Sequence, residues 1–149
     1  MLDGMNEQMV RLMYETLPVE VLIIDSNDEI IGWNKHDTRL FQRPLTAMGI
    51  NFRSYHPADS SAKVEQVIQE MKQGLRDKAS FWFDVQLEAD RAKHKVLVEF
   101  YALRDYNGKY LGCLQCTQDI EAMRQLQGER LLSEHSQFES LRPMLEQVG

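Results

Sequence analysis

Apolar residues in the middle of the chain recur at helical spacing. Val64, Val67, Ile68, Met71 and Leu75 fall at i, i+3, i+4, i+7 and i+11, which marks one buried stripe on an amphipathic helix. Asp59, Ser60 and Ser61 are candidate N-caps, because a short side-chain oxygen satisfies an otherwise orphan backbone N–H there. None has Glu or Gln three residues later, so no capping box selects among them. The proline of His56-Pro57 pushes the residue before it toward extended angles, which holds His56 out of the helix.

Elsewhere the periodicity changes. Met1 to about Thr16 has Leu2, Met5, Met9, Leu12 and Met13 near one helical face, and Leu17-Pro18 ends that helix. The methionine stripe predicts either core or an adaptable contact surface for another chain. Val19 to Ile24 and Glu29 to Trp33 are β-rich runs joined by Asp25-Ser26-Asn27-Asp28, the pattern of an antiparallel hairpin. Asn34 is a candidate N-cap for a short helix over Lys35 to Phe41. After Gly74 come three strands. In Ala79 to Glu88, Phe81, Phe83, Val85 and Leu87 share one face, with Ser80, Trp82, Asp84, Gln86 and Glu88 on the other. His94 to Leu103 alternates less cleanly, the sign of a strand covered on both faces. Asn107-Gly108 favours a tight turn into Tyr110 to Thr117. A polar helical segment follows from Asp119, with Phe138, Leu141, Leu145 and Val148 at helical spacing near its far end, where Pro143 bends or breaks it.

That order predicts an α+β fold: five antiparallel strands, helices grouped on one face, and the Val64–Leu75 helix as lid on the sheet. The expected division is an N-terminal helix (1–16), a central domain (17–121) and a C-terminal helical extension (122–149).

Composition narrows the function. At 149 residues, 43% apolar and 27% charged, the chain suits one globular domain. Seventeen basic against 23 acidic residues, a net charge of −6, disfavour direct contact with nucleic acid or an anionic membrane. No apolar run is long enough to span a bilayer, and the start lacks the apolar core of a signal peptide, so the cytoplasm is the expected compartment.

With these elements in order, the chain resembles a PAS domain over about Leu17 to Glu121. The resemblance rests on the Asp25–Asp28 hairpin, Asn34 after the second strand, the Asp105-Tyr106-Asn107-Gly108 turn, Gly112, and the Thr117-Gln118-Asp119-Ile120-Glu121 exit. His56-Pro57-Ala58-Asp59-Ser60, Lys63-Val64-Glu65 and Phe81-Trp82 are similar to a bacterial and archaeal subgroup found C-terminal to a hemerythrin-like domain. That likeness implies an upstream hemerythrin-like domain in a longer protein. The His-Pro element also resembles the haem-ligating stretch of PAS domains in carbon-monoxide-responsive regulators, which makes His56 the candidate haem ligand. The strand position of the opposite ligand falls near Leu103-Arg104, where there is no methionine.

Candidate chemistry is sparse. Trp33, Phe41, Phe52, Tyr55 and Trp82 form an aromatic set that either lines a pocket or fills a core. Val64, Ile68 and Met71 of the helix stripe and Arg104 complete the candidate pocket. Cys113 and Cys116 have redox spacing, but i and i+3 on a strand face opposite ways, so they read as two small hydrophobes. His36, His94 and His135 are scattered. Without a nucleophile–base pair or metal set, no enzyme is expected. The expectation is a sensory module that binds a small ligand, with haem through His56 as its specific form, and signals through its terminal helices as a homodimer. The rival is a ligand-free interaction domain with a filled core.

Overall fold

The computed structural model describes residues 1–55 and 61–132. One five-stranded antiparallel sheet organises it, in the order β2-β1-β5-β4-β3. The strands are β1 (Glu20–Asp25), β2 (Ile30–Trp33), β3 (Lys78–Gln86), β4 (Lys93–Arg104) and β5 (Tyr110–Asp119). The last strand therefore inserts between the first and the fourth. Its Cys113 pairs with Ile24 on one side and Ala102 on the other.

The long helix, α2 (Ser61–Lys72), covers the inner face of this sheet and buries Val64, Val67, Ile68 and Met71. They pack with Leu22, Ile24, Val96, Val98, Phe100 and Cys113 in one core. Each such side chain contributes about 1.5–3 kcal/mol of burial. The fifth residue of the expected stripe behaves differently. Leu75 is exposed because the helix stops first. Gly74, at φ 75°, closes the last turn: its N–H donates to Met71 O, and the Leu75 N–H reaches back to Glu70 O. This crossed pair is a Schellman stop, which swings Leu75 off the helical face.

Both hairpin turns next to β5 use one design. In the first, Asp25 Oδ1 accepts from the Asn27 and Glu29 N–H groups at 2.9 and 3.0 Å. In the second, Asp105 Oδ1 accepts from Asn107 and Lys109, both at 2.9 Å. The fourth residue of each has positive φ, Asp28 at 65° and Gly108 at 85°. A glycine is expected there, so the aspartate at 28 needs a reason.

The N-terminal helix, α1, runs Glu7–Thr16, shorter than expected, with the Asn6 side chain accepting from Met9 N–H. None of its side chains is fully buried, and Leu2, Met9, Leu12 and Met13 are exposed. Its methionines are thus not core of the described chain. Asn34 is not a helix cap. It is fully buried, accepts from Val21 N–H at 2.7 Å, and donates to Tyr14 O and Val19 O. The expected helix after it shrinks to a 3₁₀ turn, His36–Thr38, entered through Lys35 at positive φ. At the other end α3 spans only Glu121–Arg124. The C-terminal stripe from Phe138 to Val148 lies outside the described residues.

Candidate functional site

Between α2 and the inner sheet face lies a cavity of about 20 Å³, room for about one water molecule. Its floor is Leu22 and Ile24 from β1, Phe100 from β4, and Cys113 and Gln115 from β5. Val64 and Ile68 of α2 form its roof, and Phe52 and Arg43 close it from the connecting loop. The cross-strand pairs Leu22↔Gln115 and Phe100↔Gln115 put these residues on one face by register alone.

The surroundings of the lining residue Arg43 have an unusual charge balance, set by Arg39 and Glu20. Arg39 is buried and donates from Nε to Phe41 O and from Nη1 to Val21 O and Asn34 O. Its Nη2 lies 3.7 Å from Glu20 Oε2, while Glu20 Oε1 accepts from Leu40 N–H. Arg43 adds a second guanidinium, whose Nε is sealed from solvent with no partner among the described residues. Burial pulls the pKa of Arg43 down, the Arg39 charge adds to this, and Glu20 opposes it. Burial likewise pushes the Cys113 thiol up to about 12, so it is neutral at ordinary pH.

Three ties hold the lid. Asp28 Oδ2 accepts from Arg53 Nη1 and from Lys72 Nζ, both at 2.9 Å. Arg53 also donates to both oxygens of Glu65 at 2.7 Å, which keeps the Glu65 carboxyl below its usual range. At the far end, Arg104 Nη2 donates to Met71 O at 2.6 Å and Nε to Asp77 at 2.8 Å. A guanidinium at the open carbonyls of a helix end is favourable, because those groups lack intrahelical partners. Asp28 adopts a strained φ because its carboxylate is the node joining the first hairpin to α2.

The expected site residues separate into groups. Phe52, Val64 and Ile68 line the cavity. Trp33 and Met71 are buried in the surrounding core, and Phe41 and Tyr55 pack half-buried against it. Trp33 Nε1 donates to His36 Nδ1 at 2.9 Å. Arg104 corrects the expectation, since it holds the end of α2 rather than lining the cavity. Trp82 does too: it is 67% exposed. Strand alternation turns it away from its inward neighbours Phe81 and Ala79, so it sits on the outer face beside Leu97. His56 lies outside the described residues. Arg43, Gln115 and Cys113 are the lining residues that the aromatic reading missed. Alternation in β5 was the available signal for the last two, and none marks Arg43.

His94 is not isolated, although the sequence scatters its partners. Its Nδ1 lies 2.7 Å from Asp119 Oδ2 and its Nε2 2.7 Å from Asp90 Oδ2. Hydrogen bonds to Asp90, then Asp119, raise its pKa. Cys113 and Cys116 are both free, and no group of three or more potential metal ligands occurs among the described residues. No described helix is long and apolar enough to cross a membrane.

Residues 10–121 match the PAS domain family. The chain belongs to the PAS domain family. Its members are sensory and interaction modules. No curated protein matches the sequence. Among solved structures, the fold of this PAS domain is similar to a C-terminal domain from Streptococcus mutans, with TM-score 0.72 and 27% identity over 83% of this chain and 91% of that one. The PAS domain of BvgS from Bordetella pertussis has TM-score 0.56 and 15% identity, covering 95% and 99% of the two chains. A sensory box sensor histidine kinase from Vibrio cholerae has TM-score 0.52 and 14% identity, covering 75% and 88%. At those identities the last two speak to the fold of the PAS domain alone.

Proposed function

We propose that this PAS domain is a sensory module whose input is a small ligand taken up between α2 and the inner sheet face. The supporting observation is the cavity itself: largely apolar walls with one guanidinium, Arg43, and one carboxamide, Gln115, in the lining. Occupancy would act on β5, because Cys113 and Gln115 touch the cavity and the same strand ends at Asp119. From there the Ile120 N–H bonds Lys95 O, and Glu121 accepts from Lys95 N–H at 2.8 Å, so strain in β5 reaches α3 directly. A ligand shifts this equilibrium only as far as it prefers one packing over the other. Native mass spectrometry with an absorption spectrum of purified protein tests the reading. A co-purifying small molecule supports it; none, together with no stabilisation by any metabolite panel, counts against it.

Haem through His56 is the specific form implied by resemblance. The residues around the cavity do not fit a haem macrocycle as arranged, since Ile68 and Phe100 leave room for about one water. No iron chemistry is therefore derived. A hemin titration reading the Soret band, repeated in His56→Ala, checks it: no shift, or one unchanged in the variant, rules out haem held through His56.

A second reading, a homodimerising interaction domain with a filled core, is favoured by the small cavity and by exposed Met9, Leu12, Met13 and Trp82. It expects a dimer by light scattering that becomes monomeric without residues 1–16, and no bound molecule. The hemerythrin-like neighbour belongs with either reading as an upstream partner of the domain at 17–121, with residues 122–149 as the segment that follows it.

A further inference from the structure

We propose that the cavity beside α2 takes a small carboxylate anion of one to three carbons, held by Arg43 and Gln115. This rests on the ligand-sensing reading above and names the chemistry of that site.

Charge is the first argument. Two guanidiniums, Arg39 and Arg43, share the neighbourhood of one carboxylate, Glu20. Arg39 is fully engaged, with three backbone carbonyls and the Glu20 carboxylate around it. Arg43 makes no hydrogen bond or ion pair among the described residues, and its Nε is closed off from water. A buried donor on a charged group is costly to leave unpaired, and an anion satisfies charge and donor together. Carboxylates match the planar guanidinium fork better than spherical anions do.

The lining supplies the second argument. Among the described residues, no acidic side chain lines the cavity. Cys113 adds no negative charge, because its thiol stays protonated at ordinary pH. Gln115, which also lines the cavity, offers an amide N–H₂ as a further donor. The other walls include Leu22, Ile24, Val64, Ile68 and Phe100, which suit a short alkyl group and reject a second charge.

Size then limits the ligand. Space for about one water at rest is smaller than any of these anions, so acetate or propionate enters only as lining side chains shift, and a ring or a long chain demands a much larger movement. A ligand of about four non-hydrogen atoms binds no tighter than roughly tens of micromolar, given the ceiling on binding energy per atom. The cavity should thus respond to metabolite-level concentrations rather than trap a cofactor.

The test is an amide NMR titration of the 149-residue chain with sodium acetate, propionate, hexanoate and benzoate, against sodium chloride at equal ionic strength and against neutral acetamide. Acetate and propionate are expected to give saturable shifts at Arg43, Gln115 and Ile68. Hexanoate and benzoate should bind at least tenfold more weakly. Arg43→Met should weaken acetate at least tenfold and Gln115→Leu severalfold, with dispersed spectra showing that each variant folds. Acetamide binding as well as acetate, or acetate binding unchanged in Arg43→Met, would overturn the anion assignment. So would the absence of saturable shifts from every carboxylate, which leaves an internal water as the occupant. If native mass spectrometry then still finds a bound neutral molecule, the sensing reading survives and only its chemistry is wrong.

Discussion

Replacing Asp28 by asparagine removes one charge at the node that ties α2 to the first hairpin. Asparagine tolerates the left-handed backbone at this position about as well as aspartate, so the substitution isolates electrostatics from strain. The lost partners are Arg53 Nη1 and Lys72 Nζ, each 2.9 Å from the same oxygen. Two hydrogen bonds to a charged group contribute about 3–6 kcal/mol together when fully buried. Here the carboxylate is buried, but the Arg53 and Lys72 side chains are 38% and 28% exposed. Both cations can recover water, and Arg53 keeps Glu65, so the expected loss is about 2 kcal/mol. For a domain of this size that lowers Tm by roughly 4–8 °C. Urea unfolding is the assay, with an unchanged m-value as the sign that only stability moved. A double-mutant cycle with Lys72→Met should return about 1 kcal/mol of coupling. Asp28→Gly offers an internal check: it loses the same ion pairs but relieves the backbone, so it should be about 1 kcal/mol less damaging than Asp28→Asn. A loss under about 0.5 kcal/mol in Asp28→Asn, or no coupling to Lys72, would show that the carboxylate is a bystander and that burial alone holds the lid.

Other expectations follow from the same geometry. Gly112→Ala should destabilise by about 2–4 kcal/mol in urea unfolding, because its Cβ would lie 2.1 Å from Ile24 O and the obstacle is backbone. A loss under about 1 kcal/mol would mean that β1 and β5 are looser than described. Because the folded pKa of His94 is raised, its contribution is complete below the ordinary histidine value and disappears as pH rises through the folded one. The Tm difference between wild type and His94→Gln should therefore shrink from about pH 6 to about pH 9, and a difference that grows over that range would contradict the Asp90–Asp119 bracket. Cys113, with its thiol pushed up to about 12 and buried, should resist iodoacetamide at pH 8 until the protein unfolds. Rapid native labelling at Cys113, located by peptide mapping, would show that the cavity floor opens.

The α2 stripe was readable because helical burial depends on spacing alone, and Val64, Val67, Ile68 and Met71 are all inside. Leu75 escaped that logic, since a glycine in the left-handed region ends the helix whatever the next residue prefers. The two Asp-led turns were visible for the same local reason: one side chain bonds backbone two and four residues on. The cavity was less accessible. Its floor joins β1 to β5, segments some 90 residues apart, and only pairing tells which faces meet. Arg43 sits in a loop without periodicity, so its burial follows from where Phe52 and α2 come to rest. Trp82 is a different case. Strand alternation puts it on the face opposite Phe81, and aromatic character alone makes it a pocket candidate. Arg104 is a pocket candidate by its strand position, but its guanidinium is taken up by the end of α2 through Met71 O and by Asp77.

The central place of β5 has a consequence for how the chain is made. Residues 20–25 and 93–104 both pair with the strand that is translated last in the sheet. Until Tyr110–Asp119 leaves the ribosome, the nascent domain is two separate hairpins, each with an unpaired edge of backbone donors and acceptors. Such pairing over long sequence separation closes slowly and leaves sticky edges open meanwhile. Termination anywhere before Tyr110 therefore yields a chain prone to aggregate rather than a smaller working domain, and synthesis of the final strand is the step at which this protein commits to its native sheet.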